Sequence, residues 1–352
     1  MPPSIVLRSS QLIANLDALR AHTAPAELML VVKDDAYGLG ANWAAETAVH
    51  AGVRWIGTYD VGTALALREA LGSEMRLFAW ATSADDEVAQ AIRADIDLGV
   101  GSMDYLERVI AAAERLGRNV RVHLKVDTGL HRNGIAPAEW AEAVRRTLGA
   151  ERAGSVRLVG VWSHLAEASD AEDDAAQALF HIAVREAEDL GARLEHTHLT
   201  ASAATWERPE LRGSLVRVGA FCYGVRSADG PEIAELAPVA SLTAPVVAID
   251  GDGVSVGIGS LDGLPSSLSG RVTVGTPAGA RALLSIGLTS TRIASWAGAA
   301  VGDEVVLFGP GRTGESSPTT LAETIGTVGE EILTRLAPGI QRRATDEIVD
   351  RA

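Results

Sequence analysis

A lysine at the end of an apolar run has the clearest chemical potential in this sequence. Lys33 ends the run LMLVVK, which predicts a short buried strand. Burying an ammonium group is costly unless the group is paired, neutralised or used covalently, and a covalently used lysine forms a Schiff base with a carbonyl compound. An ion pair with the adjacent Asp34 or Asp35 is the simpler alternative. The residues by themselves leave both possibilities open.

Further candidate residues follow later apolar runs. His164 ends RLVGVWSH, Ser202 follows HTHLT, and Arg217 and Gly219 belong to LVRVG. In a barrel, the last two strands often end at a phosphate site, which would place Ser202 and the Gly219 backbone beside a phosphate group. A Schiff-base lysine together with a phosphate site suggests pyridoxal phosphate as the cofactor. Taken alone, His164 could instead be a hydrogen-bonded core histidine.

Short apolar runs alternate with segments of helical periodicity up to about residue 225. Eight such runs span 28–33, 54–58, 75–80, 95–99, 120–126, 157–164, 196–200 and 215–219. Eight strands alternating with helices predict a (β/α)8 TIM barrel, in which reactive residues stand at the carboxyl ends of the strands. A doubly wound sheet would need fewer strands and ranks second.

The chain changes character after residue 230, where glycine becomes dense and Val, Ile and Thr alternate with other residues. Runs such as PVVAIDGDGVSVGIG, GRVTVG and DEVVLFG predict short strands joined by turns. The predicted organisation is therefore an α/β barrel domain over residues 1–229, a smaller, mostly β C-terminal domain over 230–337, and an exposed tail over 338–352.

The composition excludes several classes of function. The chain has 352 residues, 47% of them apolar, which is enough for one large core or two medium ones. A formal net charge of −15, without long runs of Lys or Arg, argues against nucleic acid or a membrane surface as a partner. A single cysteine, Cys222, and the lack of metal-ligand spacings predict no internal disulfide and no bound metal. With no export signal or transmembrane span in the sequence, we expect a cytoplasmic protein.

Several segments that contain the candidate residues are similar to motifs of one enzyme family. VVKDDAYGLG is similar to the family motif VVKANAYGHG, HLKVDTGLHRNG to HLKVDTGMxRxG, and GVWSHLAEASD to GLxSHFAxAD. SAATW followed by LVRVGAFCYG is similar to NSAA followed by xVRxGxxxYG. In order and spacing, these segments resemble the alanine racemase family of fold-type III pyridoxal-phosphate enzymes, which consist of a barrel and a small β domain. The resemblance spans nearly the whole chain.

The resemblance implies how the barrel would bind the cofactor. Lys33 would hold pyridoxal phosphate covalently and serve as one acid–base catalyst. Tyr37 and Ser202, together with the backbone N–H groups of Gly219 and Ala220, would hold the phosphate.

The resemblance also implies that Arg217 faces the pyridine nitrogen of the cofactor. A guanidinium keeps its protons, so that nitrogen stays unprotonated and the ring is a weaker electron sink. Rapid return of a proton to Cα is then favoured over transamination, which suits a racemase. Arg132, supported by Lys125, would lie near the phenolic oxygen of the cofactor and the substrate carboxylate, and His164 would belong to the network behind a second base.

The sequence departs from the family where the second base is expected. Family racemases obtain this base, a tyrosine, from the β domain of a partner subunit, in a motif like GYADGxPR. The matching segment here is GSLDGLPSS, with Ser260 at the tyrosine position. Ile286 and Gly287 stand where the family has a Met-Asp pair, and Glu330 stands where it has a phosphate-binding tyrosine. We therefore expect a homodimer with composite active sites, nearly complete on the barrel side and altered on the β-domain side.

Three functions are compatible with this pattern. The first, which we favour, is an amino-acid racemase that interconverts L-alanine and D-alanine, with Tyr223 or an ordered water replacing the missing base. The second is another pyridoxal-phosphate reaction of a small amino acid, such as retro-aldol cleavage, decarboxylation or slow transamination. The third is a non-catalytic protein that binds pyridoxal phosphate or an amino acid.

Overall fold

The computed structural model describes residues 2–227, 230–251 and 253–346. In chain order the strands are β1 (Ser4–Leu7), β2 (Glu27–Val31), β3 (Trp55–Tyr59), β4 (Arg76–Ala79), β5 (Asp97–Val100), β6 (Val120–Lys125), β7 (Val156–Trp162), β8 (His196–His198), β9 (Leu215–Val218), β10 (Ala240–Asp250), β11 (Gly253–Val256), β12 (Thr273–Thr276), β13 (Gly279–Ile286), β14 (Thr291–Ala294), β15 (Glu304–Phe308) and β16 (Gln341–Ala344). The α-helices are Ser9–Thr23, Ala41–His50, Val61–Leu71, Asp85–Arg93, Met103–Leu116, Pro137–Arg152, Asp170–Asp189, Ser202–Glu207, Pro318–Ile325 and Gly329–Thr334.

Strands β2 to β9 form an eight-stranded parallel sheet in the order β8-β7-β6-β5-β4-β3-β2-β9. The end strands β8 and β9 are bridged by bonds from Thr197 N to Ser214 Oγ (3.0 Å) and from Ser214 N to Thr197 Oγ1 (3.3 Å). The sheet is therefore a nearly closed barrel, and the helices between its strands are the crossovers. Each strand overlaps one of the eight apolar runs, so the predicted TIM barrel is confirmed.

The barrel interior combines an apolar cluster with polar side chains. The buried cluster consists of Met29, Trp55, Phe78, Trp162 and Leu215. The His123 ring packs against Trp55 and Phe78, with centroid separations of 5.8 and 4.8 Å. Burying a polar side chain is costly unless it finds a hydrogen-bond partner, so this mixture requires a polar network inside the barrel.

The remaining strands form a mostly antiparallel sheet that closes on itself. Its order is β11-β14-β13-β12-β15-β10-β1-β16, and a further pairing of β11 with β10 closes a ring of six strands. β10 makes this closure possible because its 11 residues pair with β1, β15 and β11. The predicted mostly β C-terminal domain is thereby confirmed.

The chain divides differently from the predicted domain boundaries. One compact unit, called here the barrel unit, comprises residues 19–33 and 52–219. The other, called the β unit, comprises residues 1–18, 34–51 and 220–352. The predicted boundary at residue 229 lies outside the described residues, and the barrel unit ends at residue 219. The first residues belong to the β unit because β1 pairs with β10.

Part of the predicted exposed tail forms a strand in the structure. β16 pairs in parallel with β1, and Ile340 is buried. This pairing satisfies the backbone groups of β1 that do not face β10, which an open strand edge would leave unpaired. The Asp346 carboxylate further accepts bonds of 2.8 and 2.9 Å from the backbone N–H groups of Ser9 and Ser10. Residues 347–352 of the predicted tail lie outside the described residues.

The segment directly after β2 winds in the opposite sense to an ordinary helix. From Asp34 to Tyr37, four successive non-glycine residues have φ between 53 and 57°. This left-handed conformation costs about 1–2 kcal/mol per residue, so local contacts must hold it. Asp35 supplies one of them, because its carboxylate accepts a bond of 2.7 Å from the Ala41 N–H. No glycine or proline turn signal in residues 34–37 predicts this conformation.

Among the described helices, none combines the length and the apolar character that crossing a bilayer requires. Nor do residues 2–227, 230–251 and 253–346 bring three or more His, Cys, Asp or Glu side chains together in a way that could hold a metal ion.

Candidate active site

Lys33 lies half-buried directly after β2, at the carboxyl end of that strand. The preceding residue, Val32, donates its backbone N–H to the oxygen of Gly57 over 2.8 Å, which continues the pairing of β2 with β3 up to Lys33. TIM barrels carry their reactive residues on the face formed by the carboxyl ends of the strands. Lys33 therefore stands on the face where a barrel supports chemistry.

Arg217, on β9, is buried and held by several acceptors. Its Nη1 donates to Nδ1 of His198 (3.0 Å), and its Nη2 donates to the backbone oxygens of Ser163 (2.8 Å) and Leu199 (3.1 Å). Nη2 also lies 3.2 Å from Nδ1 of His164, to which it can only donate. Burial lowers the pKa of Arg217 to about 9, which leaves the guanidinium protonated at neutral pH. The barrel thus contains a fixed positive charge.

His164, directly after β7, is neutral and lies among four basic side chains. Burial, followed by the charges of Arg217, Arg132, Lys125 and Lys33, lowers its pKa well below the usual value. Arg217 Nη2 lies 3.2 Å from His164 Nδ1, and Lys33, Lys125 and Arg132 stand at or just after the carboxyl ends of strands in the same parallel sheet. The structure therefore brings these five residues together in the barrel unit. Such a cluster attracts an anionic ligand.

Lys125, the last residue of β6, is buried within this cluster. Burial and the charges of Arg217 and Arg132 lower its pKa from 10.5 to about 8, against the opposing charge of Asp127. Its Nζ lies 4.8 Å from the ring centroid of Trp162, a cation–π contact that stabilises the protonated form. A fraction of this amine is therefore unprotonated at neutral pH.

Arg132 is carried by the loop after β6 and is exposed to solvent. The Asp127 carboxylate shapes this loop by accepting bonds from the backbone N–H groups of Gly129 (3.0 Å) and His131 (3.1 Å). Gly134 has a φ of 146°, and a Cβ at this position would lie 2.6 Å from Asp127 N. Only glycine fits there, so the loop that presents Arg132 has little conformational freedom.

Ser202 and Gly219 meet near the carboxyl ends of the last two strands. The Gly219 N–H donates to Ser202 Oγ over 3.3 Å. Ser202 is the first residue of the helix Ser202–Glu207, and the Glu167 carboxylate accepts a bond of 3.0 Å from the N–H of Ala204 in that helix. Burial raises the pKa of Glu167. Glu167 could not be identified from the sequence, because a glutamate in a loop after a strand forms no recognisable pattern.

The two other candidate cofactor-binding residues, Tyr37 and Ala220, belong to the β unit. Tyr37 is buried and packs edge to face against Tyr223, with ring centroids 5.3 Å apart. Burial and then the negative charge of Glu330 raise the pKa of Tyr37, so the phenol stays protonated. Ala220 begins the short 3-10 turn Ala220–Tyr223. Glu330, which the resemblance aligns with a phosphate-binding tyrosine of the family, therefore acts electrostatically on the Tyr37 side chain.

Ser260 begins a short turn of the β unit, Ser260–Asp262, and is half-buried. Its backbone N–H donates to the oxygen of Gly287 over 2.9 Å, and the Leu261 N–H donates to the oxygen of Leu288 over 3.0 Å. The segment aligned with the family tyrosine is thus adjacent to the segment aligned with the Met-Asp pair. Leu261 and Leu288 are 68% and 67% exposed and form an apolar edge beside Ser260.

Sequence reasoning missed a group of buried polar residues inside the barrel. Asp97, His123 and His198 have no exposed surface, and each makes side-chain hydrogen bonds. The available signal was the alternation in VRVHLKV and HTH, where polar residues occupy every second position of a strand. One face of a barrel strand is the interior, so this alternation predicts polar groups that need partners there.

Comparison with known proteins identifies one family. Residues 7–227 match the family described as alanine racemase, N-terminal domain, and residues 250–344 match alanine racemase, C-terminal domain. The chain is 35% identical to alanine racemase of Thermobifida fusca over 358 residues, covering 95% of this chain and 96% of that protein. It is 37% identical to alanine racemase of Beutenbergia cavernae over 381 residues, covering 97% of each.

A solved structure agrees over the same length. The crystal structure of alanine racemase from D-cycloserine-producing Streptomyces lavendulae has a TM-score of 0.92 and 32% sequence identity to this chain, and the match covers 99% of this chain and 98% of that one. Both domain matches and both relatives identify the same family. This chain belongs to the alanine racemase family.

Proposed function

We propose that this protein is a pyridoxal-phosphate-dependent alanine racemase, which interconverts L-alanine and D-alanine. The observation that carries the proposal is the basic cluster at the carboxyl ends of the barrel strands, which consists of Lys33, Lys125, Arg132, His164 and Arg217. It supplies an amine, a fixed cation and groups that bind a carboxylate. The relatives named alanine racemase, which match over nearly the whole chain, support the same reaction.

The residues of the barrel unit fit pyridoxal phosphate. Lys33 provides the amine that would hold the cofactor. Ser202 accepts a bond from Gly219 and still has an O–H to donate, so a phosphate oxygen is a suitable acceptor for it. When bound, pyridoxal phosphate supplies an electron sink that makes the Cα–H of an amino acid acidic.

The other side chains have distinct tasks in this proposal. Lys33 moves the proton at Cα on one face of the substrate. Arg132 binds the substrate carboxylate, because a guanidinium matches a carboxylate in shape and charge. Arg217 stays protonated at neutral pH and would keep the pyridine nitrogen of the bound cofactor free of a proton. His164 accepts a bond from Arg217 and helps to orient it.

The opposite face of the substrate is where this chain departs from its family. We propose that Ser260 of a partner subunit stands at the position of the second base without transferring a proton, because its hydroxyl is far less acidic than a phenol. Tyr223 is a poor substitute, since burial raises its pKa well above the usual value and its ring packs against Tyr37. An ordered water near Ser260 is then the proton source on that face.

We also propose that the active form is a homodimer with composite sites. The apolar edge formed by Leu261 and Leu288 supports this proposal, because it lies beside Ser260 and is exposed in a single chain. Covering these residues with a partner would bury apolar surface and exclude water from the mouth of the partner's barrel.

Borohydride reduction tests the cofactor assignment. Lys33 and Lys125 are the only lysines of the sequence, so just two peptides can carry a reduced lysine adduct. We expect reduction of the protein loaded with pyridoxal phosphate to modify the peptide that contains Lys33 and to leave Lys125 unmodified. Modification at Lys125, or at neither lysine, would contradict the assignment.

D-Alanine formation from L-alanine tests the reaction. A protein that binds the cofactor at Lys33 and produces D-alanine supports the racemase proposal. Release of carbon dioxide, an aldehyde or a keto acid in place of D-alanine would assign a different reaction to the same cofactor. Cofactor binding without turnover of a panel of amino acids would leave only a binding function.

A further inference from the structure

A continuous chain of hydrogen bonds runs through the barrel interior from Asp97 to Arg217. Asp97 Oδ2 lies 3.2 Å from His123 Nε2, His123 Nδ1 lies 3.0 Å from His198 Nε2, and His198 Nδ1 lies 3.0 Å from Arg217 Nη1. Asp97 and the two histidines have no exposed surface. Because bulk water has no access to them, each ring nitrogen must be matched by its neighbour in the chain.

The two ends of the chain determine the direction of every bond in it. An ionised Asp97 can only accept, so His123 carries a proton on Nε2 and its Nδ1 is an acceptor. His198 must then donate from Nε2, which leaves its Nδ1 as an acceptor. Arg217 can only donate, and it donates to that same Nδ1. Both ends therefore require one tautomer of His198, with its proton on Nε2.

Two arginines keep the first member of the chain ionised. Arg76 Nη2 lies 2.5 Å from Asp97 Oδ2, and Arg121 Nε lies 2.6 Å from Oδ1. Burial by itself raises the pKa of Asp97, but the hydrogen bond from His123 and the charges of the two arginines lower it to about 2. The acceptor end of the chain is thus present at every pH at which the protein is expected to work.

The two histidines are neutral. Burial lowers the pKa of His123, and the bond to Asp97 compensates only in part. Burial, followed by the charge of Arg217, lowers the pKa of His198 well below the usual value. A neutral imidazole has one donor and one acceptor nitrogen, which is what each position in this chain needs.

We propose that Asp97 and His123 are positioning residues for Arg217: by holding the proton of His198 on Nε2, they present the Nδ1 lone pair to the guanidinium. The inference deepens the proposed function and rests on it for the role of Arg217 at the cofactor. Asp97 and His123 act through His198 and not by contact with the substrate. With the other tautomer, two N–H groups would face each other across the 3.0 Å between His198 and Arg217, and the guanidinium would have to move.

Long-range 1H–15N NMR of the full-length protein, labelled on histidine and arginine, tests the chain with and without pyridoxal phosphate. The sequence contains eight histidines, few enough to assign by substitution. We expect His123 and His198 to be neutral at pH 7 with their protons on Nε2, and the Nη protons of Arg217 to be resolved. A proton on Nδ1 of His198, or a doubly protonated ring, overturns the proposal whatever the activity.

Two substitutions of His123 separate positioning from packing. His123→Leu removes the acceptor for His198, whereas His123→Asn replaces it with an amide oxygen near the place of Nδ1. For His123→Leu we expect a second tautomer of His198, broadened Nη signals of Arg217, and a kcat for alanine racemisation about 10–100-fold lower, with a smaller change in KM. His123→Asn should restore the single tautomer and most of kcat.

Thr147→Val is the matched control, because it removes another fully buried side-chain hydrogen bond of the barrel unit, that from Thr147 Oγ1 to Ala143 O. It should lower Tm and leave the His198 tautomer and kcat unchanged. If the His123→Leu variant does not fold, Asp97→Asn serves as the test variant, because the amide introduced at position 97 can present an N–H to His123. We expect the same changes as for His123→Leu, but smaller ones. Unchanged kcat and Arg217 signals in the variant that folds overturn the proposal.

The same measurements distinguish this inference from the proposed function. A wild-type protein with the expected tautomers and resolved Arg217 signals that forms no D-alanine would refute the racemase function. The hydrogen-bond chain and its hold on Arg217 would still be supported by the loss of those signals in His123→Leu. Active racemase with the wrong His198 tautomer would refute the inference alone.

Discussion

In the proposed reaction, single side chains decide how a proton reaches the face of the substrate opposite Lys33. General acid–base catalysis contributes about 10²–10⁴-fold, and the hydroxyl of Ser260 is not acidic enough to supply it. Ser260→Tyr should therefore increase the rate of D-alanine formation from L-alanine, by up to about 10²-fold if the ring fits. Ser260→Ala should change the rate little, because the hydroxyl transfers no proton in the proposed reaction.

A second tyrosine variant controls for the added ring. Ser266 lies on the next exposed turn, Ser266–Leu268, so Ser266→Tyr adds a phenol away from the position of the family's second base. It should leave the rate of the wild type unchanged. Loss of activity in Ser260→Ala would mean that the serine itself is catalytic and that no base has been lost.

Lys125 gives stability a pH dependence that can be measured without cofactor. The pKa of Lys125 is about 8 in the folded protein and 10.5 in the unfolded chain. Between pH 8 and pH 10.5 the unfolded chain therefore binds more protons than the folded protein, and the free energy of unfolding rises with pH. Below pH 8 the burial of its charge costs up to about 3 kcal/mol. Lys125→Met should therefore raise the unfolding free energy at pH 7, and the gain should shrink from pH 8 to pH 10.5. Urea unfolding over this range measures it.

An exposed basic residue is the control for the lysine variant. Arg115 lies on the solvent face of the helix Met103–Leu116. Arg115→Met should change the unfolding free energy by a small amount that does not vary between pH 8 and pH 10.5. A pH-independent effect of Lys125→Met as well would show that the lysine is not desolvated in the folded protein.

Among the elements, the loop after β6 positions a candidate site residue, Arg132, through its backbone. Gly134→Ala combines an unfavourable positive φ with a Cβ placed 2.6 Å from Asp127 N, whereas Gly129 has a positive φ and open space around it. Gly129→Ala should cost about 1–3 kcal/mol from the backbone alone, and Gly134→Ala should cost more. Urea unfolding compares the two, and Gly134→Ala should also raise KM because Arg132 moves with the loop. Equal costs would contradict the packing argument.

At the scale of the whole molecule, the proposed dimer depends on the apolar edge beside Ser260. Replacing both Leu261 and Leu288 with Glu would place charges in the proposed interface, which should raise the dimer dissociation constant at least about tenfold. Val301→Glu is the control, because Val301 is 66% exposed elsewhere in the β unit. Sedimentation equilibrium measures the effect. A wild-type monomer at micromolar concentration that still binds pyridoxal phosphate would contradict the composite site.

The sequence by itself determined the barrel fold, the family and the candidate site residues at the ends of the barrel strands. Eight apolar runs separated by helical segments specify a parallel barrel, because short buried strands and amphipathic helices carry different periodicities. Lys33, His164, Ser202 and Arg217 could be placed at strand ends for the same reason. These features are local along the chain, so they can be read from neighbouring residues.

Only the tertiary structure decided what depends on contacts between distant segments. β1 joins β10 and β16 across more than two hundred residues, which moved the first residues of the chain into the β unit and part of the predicted tail into a strand. The left-handed turn after Lys33 carries no glycine before Gly38 and left no sequence signal. The chain from Asp97 through His123 and His198 to Arg217 links four strands, and no spacing along the sequence encodes it. The physical reason is burial, because a polar side chain inside a barrel is stable only when a hydrogen-bond partner lies next to it. Which residue becomes that partner depends on the folded arrangement of the strands and not on distance along the sequence.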